Sequence, residues 1–101
     1  MSSFSEFVTE DRRLVILRLL NDQPGFSLNE SVIQDALGRF AHVVSRDVVR
    51  ADLSWLAEQN LVSTSVVAGR VWVATLTERG AEIATGRARH PGVKRPSPRG
   101  G

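Results

Sequence analysis

Apolar and polar positions alternate along this chain in two different rhythms. In the first segment Leu14, Leu17 and Leu20 recur at helical spacing, and Ile16 and Leu19 widen the stripe. Two starts are open for this helix. Ser3 with Glu6 forms a Ser-x-x-Glu capping box, and Thr9 followed by Glu10 and Asp11 is a second possible cap. Pro24 and Gly25 end the segment. Asn29 then caps a second helix whose apolar face is Val32, Ile33, Ala36, Leu37 and Phe40. Ser45 caps a third helix over 45–59, in which Val49, Leu53 and Leu56 sit at i, i+4 and i+7 and point inward together. Asn60, a residue that tolerates the left-handed conformation, closes it.

The rhythm then changes. "LVSTSVV" and "VWVATL" are rich in β-branched residues and flank "AGR", which predicts a hairpin with Gly69 in a tight turn. A hairpin alone is marginal in water, so this one must dock on the helices. Thr77 caps a last helix with Ala81, Ile83 and Ala84 facing inward. From Arg87 the chain holds three prolines, three glycines and no apolar periodicity, which predicts a mobile tail. The expected organisation is an α+β, mainly α winged helix over 1–86, made of a three-helix bundle, a two-stranded β wing and a C-terminal helix. A basic, Pro/Gly-rich flexible tail follows over 87–101.

Order and spacing give a family resemblance. "RLVILRLL" resembles the first helix of ArsR- and MarR-type winged-helix regulators, "SRDVVRADLSWLAEQNLV" their recognition helix and its exit into the wing, and "AGRVWVATLTERG" their wing and following helix start. The resemblance spans roughly residues 12–86. With its "HPGVKRPSP" ending the chain also resembles the small winged-helix proteins of Mu-like phages. Two features depart from the regulators: "GRFAHVV" is longer than their tight turn, and Asn60 stands where they carry glycine. The resemblance implies a sequence-specific double-stranded DNA-binding protein acting in transcription regulation. Metal sensing is not carried over, because the Cys and His ligands of metal-sensing ArsR proteins are missing.

With Val49, Leu53 and Leu56 turned to the core, Arg46, Arg50 and Ser54 form an outward ridge flanked by Ser45, Asp47 and Ala51. These side chains suit base edges in a major groove: Arg on guanine, Ser on several edges, Ala on a thymine methyl, Asp on cytosine. The competing reading makes the two arginines surface residues, Arg46 paired with Asp47 or Arg50 with Asp52. Arg70 at the wing tip is a candidate for a minor groove or a phosphate. Arg39 is read more readily as a helix-terminus charge. Trp55 and Trp72 are expected to pack between the third helix and the wing, and His42 is expected to be an ordinary loop residue.

Charge complicates this reading. Residues 1–86 hold eight arginines and all 11 acids, a net charge of −3, whereas 87–101 hold Arg87, Arg89, Lys94, Arg95 and Arg99 with no acid, +5. Duplex affinity rests largely on phosphate neutralisation. Either the recognition face is locally basic, or the tail supplies the phosphate contacts. If neither holds, the alternative is a winged-helix protein–protein interaction module without specific DNA binding. Apolar residues on both faces of the wing, with Phe4, Phe7 and Val8, suggest a homodimer built on the first helix.

No enzyme motif is present: there is no Gly-rich phosphate loop, no nucleophile motif and no paired carboxylates. The absence of cysteine removes thiolate and disulfide chemistry and fits a cytoplasmic protein. No apolar run approaches the roughly 20 residues of a membrane span. No metal, cofactor or small-molecule effector is evident.

Overall fold

The computed structural model describes residues 3–97. Its elements run α1 (Phe4–Asn21), a single 3₁₀ turn (Pro24–Phe26), β1 (Ser27–Asn29), α2 (Glu30–Arg39), α3 (Arg46–Glu58), β2 (Val62–Val67), β3 (Val71–Leu76) and α4 (Glu78–Ala84). The fold is mainly α, a winged helix. Each helix begins where a side-chain oxygen can satisfy a free backbone N–H. Ser3 accepts from Glu6, Asn29 from Val32, Ser45 from Val48 and Thr77 from Gly80. Ser3 rather than Thr9 is therefore the cap of α1, and its hydroxyl also reaches the Glu6 carboxylate. Asn60 takes a left-handed φ of 61° at the exit of α3.

The core is one cluster. Leu14, Ile16, Leu17 and Leu20 of α1 meet Ile33 and Leu37 of α2, Val49, Leu53 and Leu56 of α3, and Leu61, Ala74, Leu76 and Ile83. Within α2, however, only Ile33 and Leu37 of the expected apolar face are buried; Val32 and Phe40 are exposed.

The sheet has three strands, in the order β1-β3-β2, not two. β1 pairs antiparallel with β3 through Ser27↔Thr75, Leu28↔Ala74 and Asn29↔Val73, and the Ser27 and Thr75 hydroxyls lie 2.6 Å apart. Three residues are too few to display an alternating pattern, so this strand left no signal. Its pairing makes β3 the central strand. Val71, Trp72 and Val73 are each half-buried within one chain, so their apolar character needs no partner molecule. The hairpin turn places Ala68 and Gly69 both in the left-handed region, matching the right-handed twist of the strands it joins.

The largest departure follows α4. Over 87–97 the segment expected to be a flexible tail is folded back as a strap across α1 and α3. Val93 joins the core at 8 % exposure, the Lys94 N–H donates to the Glu10 carbonyl, and Arg13 Nη1 donates to the Gly92 carbonyl at 2.9 Å. Gly92 has a φ of +90°, and a Cβ there would lie 2.7 Å from the Trp55 ring, so both conformation and space require glycine. Three consecutive residues, Gly92, Val93 and Lys94, make these contacts without any periodicity to announce them.

Gly80 is equally constrained. It sits inside the first turn of α4, where a Cβ would fall 2.0 Å from the Leu61 carbonyl oxygen and 2.7 Å from Leu76. The same carbonyl accepts from the Thr77 N–H and so fixes the start of α4. Gly80→Ala is expected to destabilise the protein by about 1–3 kcal/mol or more through forced displacement. A thermal melt followed by circular dichroism should show Tm lowered by roughly 5–20 °C; an unchanged Tm would mean the backbone shifts freely.

Candidate nucleic-acid interface

α3 is buried on one side to the limit. Val49, Leu53 and Leu56 have no exposed surface, and beside them Asp52 is held by Arg12 of α1 through Nε (2.5 Å) and Nη2 (3.1 Å). Asp52 therefore pairs with Arg12, not with Arg50. On the far side Asp47, Ala51, Ser54 and Glu58 are all exposed, at i, i+4, i+7 and i+11, and form the outermost row. Ser45 is exposed at the head of the helix as its cap. Arg46 is exposed on the flank facing α2, where its Nε donates to Gln34 Oε1 at 2.8 Å. Gln34 in turn donates to the Val44 carbonyl, so this partner is itself fixed.

Arg50 is not free on the outside. Its Nε and Nη2 donate to the two carboxylate oxygens of Glu30 at 2.6 and 2.9 Å, and Nη2 donates also to the Arg70 carbonyl at 3.0 Å. The guanidinium lies over the Trp72 ring, 4.9 Å from its centroid. Neither arginine is thus placed as an unengaged member of the outward ridge: Arg46 is exposed but bonded to Gln34 on the α2 flank, and Arg50 is committed, its planar fork fitting a carboxylate and a ring face together. Glu30 is 1 % exposed and accepts a third hydrogen bond, from the Trp72 N–H at 2.9 Å. The Arg50 hydrogen bonds, helped by that N–H, pull its carboxyl down to about 2 against the opposing effect of burial. Arg70 is exposed at the wing tip, and among the described residues its guanidinium has no partner.

The basic residues of the strap are divided. Arg89 and Arg95 are exposed; Arg87 is exposed with its Nε donating to Thr85 Oγ1. Lys94 is half-buried and engaged, its Nζ 3.1 Å from Asp11 Oδ1, so this expected phosphate contact is already held by an acid of its own chain. Arg99 lies outside the described residues. Asp11 also meets His42 Nε2 at 2.7 Å, so His42 is a buried, paired residue rather than an ordinary loop histidine. Burial raises the Asp11 pKa, yet the hydrogen bonds from His42 and Lys94 hold it below its ordinary value. Trp72 packs between α3 and the wing as expected. Trp55 does not: it lies under the strap, with Arg13 stacked 3.8 Å from its ring centroid and His90 edge-on.

Nothing in the sequence singles out Glu30. As the first residue after the Asn29 cap it reads as an ordinary acid at a helix start, and its partner lies 20 residues further on. Among the described residues no group of His, Cys, Asp or Glu is arranged to hold a metal ion, and no helix is long and apolar enough to cross a membrane.

No protein-family model matches the chain. It is 55 % identical over 95 residues to the uncharacterized protein gp26 of Escherichia phage Mu, covering 94 % of this chain and 97 % of that one. An uncharacterized protein of Haemophilus influenzae is 43 % identical over 83 residues, 82 % of this chain and 80 % of the relative. Among solved structures, a double mutant of Lactococcus lactis ZitR in apo form superposes with a TM-score of 0.60 at 28 % identity. That match covers 83 % of this chain but only 58 % of ZitR.

The buried carboxylate gives a pH signature. Because Glu30 titrates at about 2 when folded, below its ordinary 4.5, the stability it contributes is complete above pH 4.5 and is lost as the pH falls toward 2. Urea midpoints of the wild type should therefore drop across that interval, and those of Glu30→Gln should fall less steeply. Parallel acid limbs would show that Glu30 is not held this way.

Proposed function

The chain belongs to the family of the phage Mu protein gp26, and for this member we propose a winged-helix DNA-binding protein that regulates transcription by reading the major groove of double-stranded DNA with α3. The observation that carries the reading is the joint placement of α3 and the wing. Arg46 on α3 and Arg70 at the wing tip are exposed and, among the described residues, in no ion pair, and Arg50 ties the backbone of that wing tip to α3. Ser45, Arg46, Asp47, Ala51 and Ser54 meet base edges and adjacent phosphates, and Arg70 meets the minor groove or the backbone. Arg50 is withdrawn from this set. Arg87, Arg89 and Arg95 supply phosphate contacts that add affinity without sequence preference.

The protein acts in the cytoplasm as a homodimer. Phe4 and Phe7 on α1, 81 % and 50 % exposed, support self-association along that helix. A two-fold pair would present two α3 helices to half-sites about 34 Å apart.

One observation favours the second reading, a protein-interaction module. The outermost row of α3 carries Asp47 and Glu58, and Phe40 and Val43 stand exposed beside its start at 57 % and 88 %. Salt decides between the two. Binding of the full chain to random duplex, measured by fluorescence anisotropy against NaCl concentration, should weaken steeply, with a log–log slope of about −0.9 for each phosphate contacted. Arg46→Ala should weaken a selected site more than random duplex. Absent or salt-independent binding would overturn the DNA reading, and equal loss on both duplexes would demote Arg46 to a phosphate contact.

A further inference from the structure

Glu30 is a charged residue with almost no contact with solvent, and the reading above gives it no part in DNA binding. We propose that Glu30 is a specificity-determining residue of the α3–wing face: it withholds the Arg50 guanidinium from the DNA backbone and commits it to fixing the wing. This rests on the DNA reading and deepens it.

Arg50 stands on α3 between Arg46 and Ser54, one helical turn from each. An unengaged guanidinium there would be a long, permanently charged arm at the centre of the face. Phosphate contacts position a protein but carry no sequence information, so such an arm would raise affinity for every duplex alike. In the structure three of its five N–H donors are occupied, two by Glu30 and one by the Arg70 carbonyl. Its charge is matched at hydrogen-bond distance, and one face of the guanidinium is covered by Trp72.

Glu30 cannot follow Arg50 outward. It is the first residue of a capped helix, it is buried, and its second oxygen is also held by the Trp72 N–H. Drawing Arg50 away would strand a buried carboxylate beside a single neutral donor, a far greater cost than one exposed phosphate contact returns. The pair therefore stays closed when DNA arrives. The face meets the duplex with Arg46 and Arg70 as its available guanidiniums, and the non-specific component of affinity stays low.

The test compares four full-length proteins, wild type, Glu30→Gln, Glu30→Asp and the double variant Glu30→Gln/Arg50→Met, on a duplex selected by the wild type and on random duplex across a NaCl series. Gln replaces one acceptor by a donor; Asp keeps the charge but withdraws it by one methylene, and it decides the outcome if Glu30→Gln does not fold. Release of Arg50 should steepen the random-duplex slope by about 0.9 and lower the ratio of selected to random affinity. The double variant, which has no guanidinium to release, should return to the wild-type slope. A residue that merely supported the fold would lower stability without steepening that slope. Wild-type slopes in the folded single variants, or a double variant as steep as the single one, overturn the proposal while leaving the DNA reading intact. Absence of binding by all four overturns both.

Discussion

A carboxylate taken out of water must find hydrogen-bond donors for its oxygens, and the donors must come from whatever packs around it. At Glu30 they come from different parts of the chain: the acid opens α2, the guanidinium belongs to α3, and the third donor is the backbone of β3. Arg50 then passes the constraint on to the wing tip through the Arg70 carbonyl. The hairpin, which would be marginal alone, is thereby tied to the helix it accompanies. A second buried pair, Arg12 with Asp52, joins α1 to α3. The third helix is thus bracketed by two ion pairs and buries its apolar stripe between them. Its orientation is set by directional contacts as well as by non-directional burial.

These pairs also determine which charged groups are committed within the fold. A body of −3 looks ill suited to a polyanion, yet formal counting treats every charge as available. Arg12, Arg50 and Arg79 are matched to Asp52, Glu30 and Glu82 within the fold. Among the described residues Arg39, Arg46 and Arg70 remain exposed and outside any ion pair. The three matched pairs leave the body at −3, five arginines against eight acids, so pairing alters which guanidiniums are available and not the sum.

Local chemistry was readable from the chain. The oxygens of Ser3, Asn29, Ser45 and Thr77 cap the helices, and Val49, Leu53 and Leu56 turn inward, because each of these depends on neighbours within about two turns. What escaped depends on partners far along the chain. Helical spacing places Arg50 on the outer ridge, but only the fold brings Glu30 to it. Its place beside the core stripe of α3 points Trp55 toward the wing; its neighbours are Arg13 and Gly92, 42 and 37 positions away by number. β1 was invisible because pairing, not periodicity, defines so short a strand. The strap's contacts have no compositional signal: proline and glycine usually mark disorder, while here Gly92 is what lets the chain press against an indole ring.

The two indoles give the molecule a built-in optical readout. The chain has no tyrosine, and each of its two tryptophans stands under a different guanidinium: Trp72 under Arg50 where the hairpin meets α3, and Trp55 under Arg13 where the strap crosses. Near-ultraviolet emission excited in the indole band therefore arises from these two junctions. A single Trp→Phe replacement isolates either one, so loosening at one end of the third helix can be watched separately from loosening at the other, without any attached dye.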